Sequence, residues 1–142
     1  MFKNQTKEVL RLLLAEDNPG DVGLVREAIR TCGVDTNLTV AKDGEQALTH
    51  LRNSKFNLVI LDLNLPRQDG QTILQLCATA DGSPPFVVFS GSERPSDREL
   101  ALLAGAREYV VKPCGFDEFI ERVQQMVKRW SCRQDSIPEP RE

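Results

Sequence analysis

Histidine is almost absent: His50 is the only one, and the four cysteines, Cys32, Cys77, Cys114 and Cys132, are scattered with no C-x-x-C pair. A structural zinc site needs closely spaced Cys or His ligands, so that class is excluded. No apolar run approaches the roughly 20 residues that span a bilayer. The opening MFKNQTKEVLR lacks the apolar core of a signal sequence, and scattered cysteines without one fit a reducing cytoplasm. Neither sign of charge dominates. A formal charge of −3 gives no broad electrostatic case for nucleic acid or an anionic membrane. Repeats and internal linkers are missing too. What is there is 142 residues, 40% hydrophobic and 27% charged, enough for one domain with a sizeable core.

Short apolar runs alternate with helical patterns. RLLLAED (11–17) reads as a buried strand ending in acids. Residues 18–33 read as a helix, with Asn18 as N-cap, Pro19 in the first turn, Gly33 at the C-cap, and Val22, Val25 and Ile29 at helical spacing. A second strand covers 37–43, and a short helix over 44–53 turns Ala47, Leu48 and Leu51 one way and His50 to solvent. FNLVILD (56–62) is the third strand, followed by a helix over 71–80 with Ile73, Leu74, Leu76 and Cys77 clustered. A fourth strand (85–91) leads to a helix over 96–106, capped by Ser96 and stopped near Gly105. A fifth strand (107–113) leads to an amphipathic helix over 116–130. That helix places Phe116, Phe119, Ile120, Val123, Val127 and Trp130 on one face.

Strands 1, 3, 4 and 5 lack clean polar alternation, as strands buried on both faces of a parallel sheet do. Strict βα alternation then predicts a doubly wound α/β sandwich. The domain is expected over 9–130, with 1–8 and 131–142 as terminal extensions and the latter a polar tail holding two prolines. Trp130 either covers the core or anchors a dimer interface.

In open α/β sheets, ligands bind beyond the carboxyl ends of the strands. Here those ends carry Glu16 and Asp17, Asp62, Ser90, and Lys112. Taken singly each has a bland reading: a loop acid, a turn serine, a solvated lysine before proline. Their shared position gives them weight. Carboxylates brought together repel, by roughly 4 kcal/mol for two charges about 4 Å apart at an effective dielectric of about 20. A divalent cation removes the conflict, and oxygen donors without histidine or thiol favour Mg²⁺. An acid, a metal, a hydroxyl and an ammonium together suit phosphoryl transfer to a carboxylate.

At this point LLLAEDNPGD, LVILDLNLPRQDG, VVFSGS and GAREYVVKP resemble the receiver domain of two-component response regulators over roughly residues 9–130. AEDNPGDVGLVREAIR is similar to the stand-alone, phytochrome-associated subgroup. The resemblance implies a flavodoxin-like (βα)5 sandwich with a five-stranded parallel sheet. It implies Asp62 as the phosphoacceptor and Glu16 and Asp17 as the acidic pair, Asp17 on Mg²⁺ directly and Glu16 through water. Asn64 would offer its backbone carbonyl to the metal. Ser90 would be the switch hydroxyl, Lys112 the phosphoryl-contacting lysine, Tyr109 the aromatic switch, and Pro66 and Gly70 the loop after the phosphorylation site. Glu16 stands where Asp is commoner, 79–86 lacks a basic residue often seen there, and Cys114 follows Pro113 where an apolar residue is usual.

The expected partner is a sensor histidine kinase, of phytochrome type by the finer resemblance. Output is expected through helix 4, strand 5 and helix 5, to a protein partner or by a change of oligomer, a homodimer included. No DNA-binding module is expected, and the chain is read as a receiver that promotes its own phosphorylation rather than as a conventional enzyme. Two alternatives remain. A phosphorylation-independent adaptor would be favoured by loss of Asp62, Asp17 or Lys112, and all are present. An aspartate-nucleophile phosphatase tends to carry a second acid two residues after the first, where Asn64 stands.

Overall fold

The computed structural model describes residues 9–135, with side chains through Ser131. Ten elements alternate: β1 (Leu10–Ala15), α1 (Pro19–Thr31), β2 (Thr36–Ala41), α2 (Gly44–Asn53), β3 (Leu58–Leu61), α3 (Gly70–Cys77), β4 (Phe86–Ser90), α4 (Pro95–Leu103), β5 (Glu108–Val111) and α5 (Phe116–Asp135). The strands form one parallel sheet in the order β2-β1-β3-β4-β5. This is the doubly wound sandwich the pattern predicts, in the flavodoxin-like form the resemblance implies.

Because side chains alternate across a strand, the apolar runs feed two cores. Leu12, Leu14, Leu58, Ile60, Val87 and Phe89 face α1 and α5, where Val25, Ala28, Phe119, Val123, Met126 and Val127 are buried. Leu13, Val59, Leu61, Phe86 and Val88 face the other way, against Ala47 of α2, Ile73 and Leu74 of α3, and Ala101 of α4. Fully burying each large apolar side chain is worth about 1.5–3 kcal/mol, so both layers hold the sheet firmly.

Local sequence chemistry sets the helix ends. The Asn18 side chain accepts the Asp21 N–H, and Asp43 and Asp69 cap α2 and α3 in the same way. Gly33 and Gly105 follow α1 and α4 with φ of 82° and 117°.

Several expectations shift. Ser96 is not the cap of α4. Pro95, with φ already set for a first helical position, opens the helix, and Ser92 Oγ accepts the Arg94 N–H at 3.2 Å in front of it. Phe116 opens α5 but is 72% exposed, and Leu76 of α3 also faces solvent. Residues 131–135 are helical rather than tail. A formed helix extends cheaply into residues without a breaker, even once its apolar stripe has ended. Residues 136–142 and 1–8 lie outside the described residues. His50 is half-buried. Trp130 is buried in the α1–α5 layer, its Nε1 donating to Glu108 Oε1 at 3.3 Å, which places it in the core.

The β3–α3 loop rests on the start of α2. Gly44 N–H donates to the Pro66 carbonyl at 3.1 Å, and a Cβ on Gly44 would lie 1.9 Å from the Gln68 carbonyl oxygen. Backbone cannot yield as a flexible side chain can. Gly44→Ala is therefore expected to destabilise the fold by about 1–3 kcal/mol and to displace the loop that follows Asp62. Denaturant unfolding checks this, and an unchanged midpoint would disprove the contact.

Candidate functional site

The strand order reverses between β1 and β3, because the chain runs outward from β1 to β2 and then returns to β3 on the other side. Such a switch point opens a crevice at the carboxyl ends of the strands. Ala15 and Leu61 are level in the register, so Glu16 and Asp62 leave the sheet side by side. The ladder holds one step further there: Asp62 N–H donates to the Ala15 carbonyl at 3.0 Å and Glu16 N–H to the Ala41 carbonyl at 2.9 Å. Ser90 is level with Val111, and Lys112 N–H donates to the Ser90 carbonyl at 2.8 Å. Three predicted site residues thus lie just beyond their strands, and Ser90 is the last residue of its own.

Lys112 is the centre of the arrangement. Its Nζ donates to Glu16 Oε1 at 2.7 Å, Asp21 Oδ2 at 2.8 Å and Asp62 Oδ2 at 3.1 Å. An ammonium has three N–H groups, and all three are used. Glu16 and Asp62 are buried, and the Lys112 side chain is 12% exposed. Charges so placed are tolerated because they are paired and hydrogen-bonded. Burial by itself would pull the Lys112 pKa down. Hydrogen bonds to Asp21 and Glu16, with the charges of Asp62 and Glu16, outweigh it and hold the pKa above the ordinary lysine value. Burial also drives the Glu16 carboxyl up to about 7, against the hydrogen bond from Lys112 and with help from the charge on Asp62.

Carboxylate oxygens of Glu16, Asp17 and Asp62 lie within 4.8 Å of one another. One of the three, Asp17, is exposed. These are hard oxygen donors at one open crevice, and they fit a Mg²⁺-sized cation that keeps several waters. The Asn64 N–H donates to Asp62 Oδ1 at 3.1 Å, and Asn64 and Asp17 line the same surface cleft, of about 580 Å³.

Ser90 and Tyr109, the residues expected to form the switch, stand apart from this cluster. Ser90 is fully buried, and its Oγ accepts the Ser92 N–H at 3.4 Å. Tyr109 is buried, with its hydroxyl donating to the Ser92 carbonyl at 3.0 Å. The two meet through the β4–α4 loop. That loop is braced in turn by a 2.5 Å hydrogen bond from Ser92 Oγ to Asp97 and by the Arg94–Asp97 ion pair. On the far side of Asp62, Arg67 holds a φ of 72°, uncommon for a side-chain-bearing residue, and reaches Asp43 at 3.7 Å and Glu45 at 3.4 Å.

One residue of the site escaped the sequence reading, Asp21. An acid in the first turn of a helix ordinarily serves the helix dipole, and nothing in its spacing separates it from that role. The available signal was its place one turn into α1, directly behind the Glu16–Asp17 pair.

A parallel (βα)5 sheet with an acidic crevice and a lysine reaching across it defines a receiver-type signalling fold. The chain belongs to the response regulator receiver domain family, whose sequence model matches residues 12–124.

Among curated proteins it is 30% identical over 128 residues to the transcriptional activator protein IrlR of Burkholderia pseudomallei, covering 90% of this chain and 55% of that one. It is 34% identical over 119 residues to the DNA-binding response regulator MtrA of Mycolicibacterium smegmatis, covering 84% and 51%. The chain spans about half the length of these relatives. Among solved structures, the phosphorylated cyanobacterial phytochrome response regulator RcpA superposes with a TM-score of 0.84 at 26% identity, over 93% of this chain and 100% of that one. The Mn²⁺-bound response regulator Rcp1 gives 0.81 at 26% identity, over 93% and 99%. No helix among the described residues is long and apolar enough to cross a membrane.

Proposed function

We propose that this receiver accepts a phosphoryl group on Asp62 from the phosphohistidine of a sensor histidine kinase, and passes the signal on by a change of shape. The observation that carries the reading is the convergence of Lys112 Nζ and the Glu16–Asp17–Asp62 oxygens on one crevice. In the reaction the histidine N–P bond breaks and an Asp62 Oδ–P bond forms, the electron pair leaving with the imidazole. Lys112 offers its ammonium to a phosphoryl oxygen, and the crevice holds Asp62 still for in-line approach. Water later hydrolyses the acyl phosphate to carboxylate and inorganic phosphate.

Mg²⁺ would be held by Asp17, Asp62 and the Asn64 carbonyl, with Glu16 acting through water, and would supply charge neutralisation for the phosphoryl oxygens. The resemblance to Rcp1, solved with Mn²⁺, supports a divalent cation here. Ser90 and Tyr109 form the two-state element, and their shared tie to the β4–α4 loop supports a readout through α4, β5 and α5. The likeness to RcpA supports a phytochrome-type kinase as partner, in the cytoplasm, with a downstream protein or a second copy of the chain as target.

Incubation with acetyl phosphate and Mg²⁺ should add one phosphoryl group, read as intact mass, and chelation should prevent it. A wild-type protein that takes up none would overturn the reading.

The raised pKa of Glu16 gives a second expectation. A carboxyl shifted up to about 7 must lose its proton for the cation to enter the site at full strength. Mg²⁺ affinity should rise about tenfold between pH 6 and pH 8, and Glu16→Gln should flatten that dependence. Calorimetric titration at the two pH values decides it, and a flat wild-type profile would count against it.

A further inference from the structure

We propose that Asp21 is a positioning residue for phosphoryl transfer, acting through Lys112. The proposal rests on the reading of Asp62 as the phosphoacceptor.

Of the three carboxylates on the Lys112 ammonium, two belong to the group of oxygens that could hold a cation, Glu16 and Asp62. Asp21 does not belong to that group, yet its 2.8 Å contact with Nζ is nearly as short as that of Glu16. The three bonds are therefore not equivalent. With a cation held by the Glu16, Asp17 and Asp62 oxygens and Asp62 converted to an acyl phosphate, the bonds of Lys112 to Glu16 and Asp62 would give way, freeing two of its three N–H groups. The third remains on Asp21.

Asp21 is well placed to keep it. It lies in the first turn of α1, and its own N–H is fixed by the Asn18 cap at 3.1 Å. The helix is anchored by Val25 and Ala28 in the core. Its side chain is 25% exposed, at the rim of the crevice, so it carries a smaller desolvation burden than Glu16. Lysine is a flexible point charge on a four-carbon stem, and one fixed partner restricts it before the phosphoryl group arrives. Asp21 so holds the ammonium over Asp62 while leaving two N–H groups free for the transferring oxygens. An acid serving only the helix dipole would point at solvent or its own backbone, and this one reaches across to the end of β5 instead.

The test is a double-mutant cycle on acetyl phosphate labelling, followed by intact mass, with Mg²⁺ affinity measured on the same proteins. Asp21→Ala should slow labelling about tenfold, with Mg²⁺ affinity within about twofold of wild type. In a Lys112→Ala background the same change should have no further effect. Asp21→Asn, which keeps an oxygen for Lys112 and folds with the same shape, should restore most of the rate.

Unchanged labelling in Asp21→Ala, or equal slowing with and without Lys112, would overturn the role of Asp21. A wild-type protein that is not labelled at all would overturn the phosphoacceptor reading itself, so the two failures are distinct.

Discussion

Asp62→Asn should take up no phosphoryl group from acetyl phosphate under conditions that label the wild type, a loss of about a thousandfold or more. The amide cannot act as an oxygen nucleophile of comparable strength, and among the described acids none replaces it. Glu16 is buried under Lys112 with its own oxygen committed at 2.7 Å. Asp17 is the exposed member of the group, and Asp21 is committed to the Lys112 ammonium at 2.8 Å. The fold should survive, because the one amide oxygen of the variant can still accept from Lys112, only the bond from the Asn64 N–H to the other oxygen being lost, and the substitution removes one negative charge from a crowded site. Circular dichroism should therefore give a melting temperature within a few degrees of wild type. Label on the variant equal to that on wild type would remove Asp62 from its assigned role.

The sheet was legible in the sequence because burial on both faces leaves a plain mark. LVIL and FVVFS are uninterrupted apolar runs, and each ends at a polar residue where the chain leaves the core. The convergence of Glu16, Asp62 and Lys112 followed from strand order alone, since parallel strands put all their carboxyl ends on one edge.

Contacts that depend on side-chain reach were not legible. Asp21 meets Lys112 across 91 residues of sequence, and only the packing of α1 against α5 around the sheet brings them together. Phe116 fits the periodicity of α5 but lies a turn before the helix reaches the core, so pattern and burial part company there. Ser96 has the right chemistry for a cap, yet Pro95 started the helix earlier. The partner of the Tyr109 hydroxyl is a backbone carbonyl, which no side-chain motif can announce.

Lys112→Ala should be the substitution most costly to stability. The lysine is the shared counter-charge for Glu16, Asp21 and Asp62, and two of these carboxylates are buried. Removing one partner of a buried ion pair costs about 3–5 kcal/mol, because the charge left behind is uncompensated. For a domain of this size that is a fall of about 10–20 °C in melting temperature.

The pH dependence follows from the sign of the shift. Glu16 already has its pKa raised by burial from 4.5 to about 7, and losing the opposing hydrogen bond from Lys112 raises it further. A carboxyl whose folded pKa lies above its unfolded one binds more protons in the native state, so the protein loses stability as pH rises through that window. The deficit of Lys112→Ala should be greatest near pH 8 and shrink toward pH 5, where Glu16 is protonated. Saturating Mg²⁺ should recover part of the loss at pH 8, because a divalent cation on the same oxygens supplies the missing positive charge. Thermal melts of both proteins at pH 5 and pH 8, with and without Mg²⁺, decide the matter. A deficit of less than about 1 kcal/mol at pH 8, or one of equal size at both pH values, would mean that Lys112 is not what allows these acids to sit at the edge of the core.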